Sequence, residues 1–272
     1  MSLSGSMILF MKPFLSVIIP CYNERENVER GVLKEVEEWL KSSKFKIQNS
    51  KFNNSYEVIV SDDASTDNSR ELVKEFVKKH SNFQLLENEH GGKAWALRHG
   101  LEASKGEWAL FTDMDQSTPI SELDKLMVKA QSGNEVVIGS RGKLRENFSL
   151  LRKTASSSFR IFRKSLMLRK IDDTQCGFKL IKREVARKIF EKMMIFEQSG
   201  EAKGWVVAAW DVEFLFLAEK YGYKIAEVPV KWSDKDETKG KDRSVMKFVK
   251  ESLDMLKQLL RVKVNDSKGM YN

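Results

Sequence analysis

The fold of this chain is most constrained by a regular alternation of short apolar runs and amphipathic segments in its first 115 residues. Each run has the length of a buried strand and ends in proline or polar residues. The runs occupy residues 15–19, 56–60, 83–86 and 107–111. Helical hydrophobic spacing follows each of the first three runs. This alternation predicts an α/β protein with βαβ units, a mostly parallel sheet and a ligand site at the strand ends.

The remaining elements are expected from the same two periodicities. A first helix begins at Asn23 or Glu24, with an apolar stripe of Val28, Val32, Val36 and Leu40. Further helices are predicted at 123–130, 184–194, 210–220 and 244–262, strands at 136–141 and 223–230, and loops at 41–55 and 233–243. Residues 143–170 also have a helical pattern, and the strict alternation stops before them.

Length and composition fit one large domain with short appendages. The chain has 272 residues, of which 41% are hydrophobic, and no apolar run approaches the ~18 residues of a membrane span. We expect a tail or tag remnant at 1–13, the main domain at 14–235, and a flexible loop with a basic helix at 236–272. Its 2 cysteines, Cys21 and Cys176, imply no disulfide framework and favour a reducing, cytoplasmic location.

The net charge of +8 is concentrated in one segment. Residues 141–170 contain ten basic residues and one acidic residue, Glu146. The predicted helix 244–262 is also basic, with Met246, Val249, Leu253, Leu256 and Leu260 on one side and Lys247, Lys250, Lys257 and Arg261 on the other. Such surfaces attract phosphates of lipids, nucleotide sugars or nucleic acid. Two interpretations of the helix stay open: it packs on the domain, or it contacts an anionic membrane surface.

The fourth predicted strand runs directly into Asp113-Met114-Asp115. In an extended segment, residues i and i+2 point to the same side, so the two carboxylates can face one cleft. Their mutual repulsion requires a cation, and Mg²⁺ or Mn²⁺ bridging to a diphosphate suits oxygen ligands. The simpler alternative is a solvated acidic turn.

Polar motifs also follow the first three strands. In Pro20-Cys21-Tyr22-Asn23-Glu24, a ring and a carboxylate can meet a base and a ribose, or Glu24 can simply stabilise a helix start. Asp63, next to Asp62, can accept the imide N–H of a uracil, or the cluster can cap a helix. Lys93, after Gly91-Gly92, can meet a phosphate.

Two other sets of residues carry weaker signals. Cys176 has no identifiable base partner, so we interpret it as a small packed residue rather than a nucleophile. The three histidines, His80, His90 and His99, lack metal-ligand spacing and are expected on the surface or in loops.

The order of these motifs resembles that of family 2 glycosyltransferases of GT-A fold. Four motifs in the second half are similar to those of dolichyl-phosphate β-glucosyltransferases and polyprenyl-phosphate relatives. They are Gly139-Ser140-Arg141, Asp173-Thr174-Gln175-Cys176-Gly177-Phe178-Lys179, Trp210-Asp211-Val212-Glu213 and Glu227-Val228-Pro229-Val230-Lys231-Trp232. The resemblance covers about residues 14–235.

Several positions depart from the family pattern. Met114 replaces an alanine, Ala94 replaces a glycine, and Ser117 stands where mannosyltransferases carry a metal-binding glutamine. Ser117-Thr118-Pro119 favours the glucosyl branch, and the membrane helices of many relatives do not follow, which suggests a short form or a soluble domain.

The resemblance implies an inverting transfer of glucose from UDP-glucose to a dolichyl or polyprenyl phosphate. Residues implied in binding the nucleotide sugar are Pro20, Tyr22, Glu24, Asp62, Asp63, Lys93, Asp113 and Met114. The implied metal is Mg²⁺ or Mn²⁺ on Asp113 and Asp115, and the catalytic set is Asp115, Arg141 and Asp211. Arg141 and the basic 143–170 segment are expected to bind the acceptor phosphate. Asp211 is the candidate base if the acceptor is a hydroxyl.

Three alternatives remain open from the sequence. The first is a soluble GT-A enzyme acting on a saccharide or protein hydroxyl, and the second is a GDP-mannose-dependent dolichyl-phosphate mannosyltransferase. The third is a non-enzymatic nucleotide or nucleic-acid binder, which lacks any recognisable nucleic-acid module. We therefore expect no nucleic-acid partner. The expected location is the cytoplasmic face of a membrane, that of the endoplasmic reticulum in a eukaryote, reached through residues 143–170 and 244–262.

Overall fold

The computed structural model describes residues 12–42, 55–142, 167–197, 210–233, 235 and 245–272. Within these residues, seven strands form one sheet. The strands are β1 (Leu15–Cys21), β2 (Tyr56–Asp62), β3 (Phe83–Glu87), β4 (Trp108–Phe111), β5 (Val136–Ser140), β6 (Lys179–Lys182) and β7 (Ile225–Pro229). All six strands predicted from the sequence are confirmed, with ends that shift by one or two residues.

The sheet has the strand order β3-β2-β1-β4-β6-β5-β7. The pairs β1·β2, β2·β3, β1·β4 and β5·β7 are parallel, whereas β6 runs antiparallel to both β4 and β5. The mostly parallel α/β fold is therefore confirmed. The sequence analysis missed β6, because this strand is only four residues long and has a lysine at each end.

Eight α-helices surround the sheet within the described residues. They are α1 (Arg25–Glu29), α2 (Val32–Lys41), α3 (Ser69–Val77), α4 (Lys93–Ala103), α5 (Leu123–Gln131), α6 (Arg183–Lys192), α7 (Trp210–Lys220) and α8 (Val245–Ser267). Short 3₁₀ turns occupy Ile120–Glu122 and Met194–Phe196. The single first helix predicted from the apolar stripe is wrong, because Gly31 has a φ of +89° and separates α1 from α2. The prediction for 143–170 falls largely on residues 143–166, which lie outside the described residues.

The central strands β1, β2, β4 and β5 are buried on both faces, whereas the edge strands β3 and β7 are mostly only partly buried. Successive side chains point to opposite sides, so Ile18 and Phe111 face α4, α6 and α7, whereas Val17 and Leu110 face α2 and α5. Continuous apolar runs are expected for parallel strands that helices cover on both sides. The sheet is therefore a rigid base, and the loops at its strand ends can be held in fixed positions.

The described part of α8 packs on α7, and its buried face differs from the predicted one. Leu259 and Val262 lie in the core, whereas Leu260, expected on the apolar side, is 50% exposed. The helix also continues past residue 262 to Ser267. Among the described residues, no helix is both long enough and apolar enough to cross a membrane. The domain limits at residues 14 and 235 stay a prediction.

A buried carboxylate anchors the C-terminal residues to this core. Glu213 on α7 accepts hydrogen bonds from the Tyr271 hydroxyl at 2.8 Å and the Met194 backbone N–H at 2.7 Å. Tyr271 is fully buried, and Asn265 on α8 also contacts its hydroxyl. Burial raises the pKa of Glu213, and these hydrogen bonds to its charged form oppose that shift.

We predict that Tyr271→Phe lowers the free energy of unfolding by about 1–3 kcal/mol, because Glu213 loses a buried donor. Urea unfolding followed by circular dichroism measures this loss. Tyr223→Phe is the matched control, because the Tyr223 hydroxyl makes no hydrogen bond with the described residues. Equal stability of the two variants would show that the Glu213 contact contributes nothing.

Candidate active site

The loops after β1 and β2 are bound to each other. The Asn23 side-chain oxygen accepts hydrogen bonds from the backbone N–H groups of Thr66 at 2.8 Å and Asp67 at 3.3 Å. The Asn23 N–H in turn donates to the Ser65 hydroxyl at 3.0 Å. Asn23 has a φ of +55°, a conformation that asparagine tolerates better than most residues. This contact places the first two sequence motifs side by side.

Asp62 and Asp63 have different environments although they are adjacent in the chain. Asp62 is fully buried and pairs with Arg70 at 2.7 Å, so its side chain supports the loop. Asp63 instead reaches the next loop, where its two oxygens accept the N–H groups of Gly91 and Gly92, each at 2.8 Å. The predicted contact of either residue with a nucleotide stays a prediction.

An exposed aromatic pair lies beside Asp63. The Tyr22 ring is 44% exposed, and its centroid lies 4.7 Å from that of His90. His90 Nδ1 also lies 2.9 Å from the Asp63 carboxylate. The sequence predicts His90 only as a surface or loop residue, and its side chain is 49% exposed. The only available signal was its place directly before the Gly91-Gly92 turn.

The two carboxylates after β4 have different partners. Asp113 forms an ion pair with Lys93, the first residue of α4. Asp115 accepts hydrogen bonds from the backbone N–H and the hydroxyl of Ser117, each at 2.8 Å. Met114 between them is buried in the core, so its predicted contact with the nucleotide sugar is limited to its backbone.

Arg30 links the Asp115 turn to the first loop. Its Nη2 group donates to the Asp115 carbonyl oxygen at 2.8 Å and to the Asn27 side-chain oxygen at 2.9 Å. No sequence motif marks Arg30, because this contact joins residues 85 positions apart. Ser117 connects the turn to the segment after β7, since its carbonyl oxygen accepts the Ser233 N–H at 2.9 Å.

Asp211 at the start of α7 lies close to several of these charges. Its carboxylate lies 2.5 Å from the ammonium of Lys179, which is fully buried on β6. Burial raises the pKa of Asp211, and the charges of Lys179 and Lys93 oppose this shift. Arg141 also interacts electrostatically with Asp211. Lys93 and Arg141 therefore both interact electrostatically with Asp211, and the catalytic and binding roles expected of these residues stay predictions.

Lys93 is the cation on the open side of this cluster. Its side chain is 44% exposed, so it remains accessible to a ligand. Partial burial by itself lowers the pKa of Lys93. Asp113 outweighs that effect, assisted by Asp211 and Asp115, so the pKa is raised and the ammonium is charged at neutral pH.

The carboxylates fit a divalent cation that is shared with a ligand. Within the described residues, no three His, Cys, Asp or Glu side chains are grouped so that they could enclose a metal. Asp113 and Asp115 nevertheless supply hard oxygen ligands at an accessible turn. Mg²⁺ is usually held by one or two carboxylates together with substrate phosphates, and such an ion needs no larger protein cage.

Gly177 packs directly against Asp113. A Cβ atom at this position would lie 2.1 Å from Asp113 Oδ2. Only glycine therefore leaves room for the observed position of this carboxylate.

We predict that Gly177→Ala displaces the Asp113 carboxylate and weakens UDP binding in the presence of Mn²⁺ by about tenfold, or ~1.4 kcal/mol. Isothermal titration calorimetry measures the affinity, and the melting temperature should stay near the native value because a flexible side-chain end can move. Gly100→Ala is a control with the opposite expected effects, since its Cβ would lie 2.5 Å from Ile18 in the core. It should lower the melting temperature without weakening UDP binding. If Gly177→Ala binds UDP as tightly as the wild type, the position of the Asp113 carboxylate does not contribute to UDP binding.

Several curated proteins are similar to this chain over most of its length. The dolichyl-phosphate beta-glucosyltransferase of Dictyostelium discoideum is 33% identical over 270 residues, which cover 95% of this chain and 76% of that protein. The proteins of the same name from Drosophila melanogaster and Saccharomyces cerevisiae are 33% and 28% identical. They match 83% and 95% of this chain, and 68% and 76% of their own lengths.

Solved structures of glycosyltransferases share the fold. A Pyrobaculum calidifontis mannosyltransferase in complex with GDP-Man and Mn²⁺ has a TM-score of 0.59 at 18% identity. The alignment covers 94% of this chain and 65% of that enzyme. A Mycobacterium tuberculosis glucosyl-3-phosphoglycerate synthase, solved with Mn²⁺, UDP and glucosyl-3-phosphoglycerate, has a TM-score of 0.56 at 16% identity, with 93% and 80% coverage. At such identities the likeness establishes the fold alone, which is the GT-A fold.

The sequence profile described as Glycosyl transferase family 2 matches residues 16–190. This range begins in β1, ends in α6 and includes the Asp113–Asp115 turn, Lys93 and Arg141. The profile match and the relatives agree with the resemblance inferred from the motifs. The chain is a glycosyltransferase and belongs to glycosyltransferase family 2.

Proposed function

We propose that this enzyme transfers glucose from UDP-glucose to a dolichyl or polyprenyl phosphate, with inversion at the anomeric carbon. The observation that carries the proposal is the 33% identity, over 95% of the chain, to an enzyme named dolichyl-phosphate beta-glucosyltransferase. The geometry supports the proposal because one cleft contains two carboxylates that can bind a metal, those of Asp113 and Asp115. It also contains Lys93, which can bind a diphosphate, and Arg141, which can bind a second phosphate.

The sugar donor is bound by the loops after β1, β2, β3 and β4. The exposed Tyr22 ring, with His90 beside it, offers a stacking surface for the uracil, and Asp63 accepts its imide N–H. Pro20 and Glu24 line the nucleoside side of the same loop. Asp113 holds the ribose or the outer shell of the metal. Lys93 adds a positive charge where the diphosphate lies.

A divalent cation, Mg²⁺ or Mn²⁺, would be held by Asp115 and Asp113. When bound, it neutralises the charge that develops on the leaving diphosphate, as a Lewis acid and a template. Two structural neighbours were solved with Mn²⁺. The protein's part is to fix the carboxylates. Ser117 and Arg30 restrain the Asp115 turn, and Gly177 leaves room for Asp113.

The acceptor proposal explains why the cleft needs no strong base. A phosphate monoester is largely ionised near pH 7, so its oxygen can attack without losing a proton to the enzyme. Arg141 donates to the Asp173 carboxylate from Nε at 2.7 Å and from Nη2 at 2.8 Å. It would bind the acceptor phosphate with its remaining N–H groups. Asp211 becomes the candidate base only if the acceptor is a sugar or protein hydroxyl. The basic 143–170 segment is proposed to assist acceptor binding.

We predict that wild-type enzyme transfers labelled glucose from UDP-glucose to dolichyl phosphate and that the label then partitions into an organic phase. Asp115→Ala should lower the rate by at least about 10²-fold, the loss typical of removed electrostatic stabilisation of a transition state. Glu191→Gln on α6 is the control for a lost surface carboxylate. Label that stays in a water-soluble saccharide would instead support the hydroxyl-transferring alternative. Greater thermal stabilisation by GDP-mannose than by UDP-glucose would support the mannosyl alternative.

We also propose that the enzyme is peripheral on the cytoplasmic face of a membrane, that of the endoplasmic reticulum in a eukaryote. On the described part of α8, Leu260 and Val264 are 50% and 46% exposed, next to Lys257 and Lys263. Each lysine or arginine near an anionic leaflet contributes about 1 kcal/mol, and inserted apolar side chains add to this. The helix would therefore bind both the head groups and the lipid interface.

We predict that Leu260→Ser together with Val264→Ser lowers binding to phosphatidylserine liposomes by at least about tenfold, since each buried CH₂ contributes about 0.8 kcal/mol. Co-sedimentation measures binding, and raising the salt concentration should weaken binding of the wild type. Val128→Ser on α5 is the matched control, because Val128 is 60% exposed on another helix. Equal binding of both variants, or salt-independent binding, would contradict this membrane surface.

A further inference from the structure

Glu227 on β7 fixes a turn that belongs to another part of the chain. One of its carboxylate oxygens accepts the backbone N–H of Asp172 at 2.7 Å, and the other accepts that of Asp173 at 2.8 Å. Hydrogen bonds from N–H groups to an ionised carboxylate are about twice as strong as neutral ones. Both oxygens therefore act together to hold the backbone at residues 172–173.

Asp173 in turn clamps Arg141 at the end of β5. Its carboxylate accepts hydrogen bonds from Arg141 Nε at 2.7 Å, from Nη2 at 2.8 Å and from the backbone N–H at 3.0 Å. The Trp232 ring lies 5.8 Å from the guanidinium carbon on another side. Burial lowers the pKa of Arg141, but Asp173 outweighs this effect, so the pKa is raised and the guanidinium stays charged.

We propose that Glu227 is a positioning residue, which holds the 172–173 backbone so that Asp173 aims Arg141 at the acceptor phosphate. The inference rests on the proposed function, because that function assigns the acceptor phosphate to Arg141. It joins three motifs that are far apart in the sequence, at Arg141, at Asp173 and at Glu227 to Trp232. None of these contacts belongs to the side of the cleft that binds the nucleotide sugar.

The physical reason is the flexibility of arginine. The side chain has several rotatable bonds, and part of its rotamer freedom is lost whenever the guanidinium binds a phosphate in one orientation. Asp173 removes that freedom before the acceptor arrives, because it fixes one edge of the planar group. The two bonds to Asp173 use two of the five N–H groups, so the others can reach a phosphate. Loosening the clamp should weaken acceptor binding and leave the binding of the sugar donor unchanged.

Glu227→Gln is the decisive variant, because it keeps the shape of the side chain but turns one amide NH₂ toward a backbone N–H. We expect the KM for dolichyl phosphate to rise about tenfold, with the KM for UDP-glucose and kcat within twofold of wild type. A loss of binding shared by ground state and transition state raises KM alone. A merely structural defect would lower the amount of active enzyme and thus kcat.

Glu135→Gln is the matched control. Glu135 also accepts a backbone N–H through its carboxylate, that of Lys224 at 3.3 Å, just before the same two strands β5 and β7 begin. This variant loses the same kind of contact at the opposite end of the strand pair. It should leave both KM values unchanged. An equal rise in acceptor KM for Glu135→Gln would overturn the proposal.

A double-mutant cycle with Arg141→Gln tests whether Glu227 acts through Arg141. If it does, the double variant has the acceptor KM of Arg141→Gln alone, because the guanidinium that Glu227 helps to position is then already absent. Additive effects, or a normal acceptor KM in Glu227→Gln beside a raised one in Arg141→Gln, would overturn the positioning role and leave the proposed function intact. Absence of any lipid-linked product from wild-type enzyme would overturn both.

Discussion

The site depends on the compensation of three clustered carboxylates by two lysines. Asp113, Asp115 and Asp211 repel one another, and such charges are costly to bring together in a poorly solvated cleft. Lys93 pairs with Asp113 from the open side, and Lys179, the first residue of β6, pairs with Asp211. Removing one partner of a buried ion pair typically costs about 3–5 kcal/mol, which applies to Lys179 with Asp211. The partly exposed pair of Lys93 and Asp113 contributes less, because solvent screens it.

The antiparallel strand β6 makes this compensation possible. It lies between β4 and β5, so Lys179 at its start is paired with Phe111, two residues before Asp113. The turn just before β6 contains Gly177, which packs against Asp113. Strand β6 therefore supplies a buried cation, Lys179, and the turn before it leaves space for the Asp113 carboxylate. The reversed direction of β6 places its start at the carboxyl ends of the parallel strands, where α/β sheets bind ligands.

The cleft has two sides that the fold supports separately. The loops after β1, β2, β3 and β4 are joined through Asn23, Asp63 and Arg30 and form the side proposed for the nucleotide sugar. The end of β5, the turn at residues 172–173 and the segment after β7 are joined through Asp173 and Glu227. Asp211 interacts electrostatically with one charged residue on each side, Lys93 on the first and Arg141 on the second. This division suits a reaction that brings two phosphate-bearing substrates together.

The sequence by itself determined the alternation of strands and helices and the position of Asp113 and Asp115 at the end of β4, because hydrophobic period and turn residues are local properties. The motif order also indicated the family that the profile match then showed. Tertiary structure alone decided the existence of β6, the break at Gly31 and the buried face of α8. It also decided which charge meets which, as in Lys179 with Asp211 or Glu227 with the 172–173 backbone. Such contacts join residues that are 32 and 54 or more positions apart. Local periodicity cannot encode them, because only the packing of the sheet brings those residues within bonding distance.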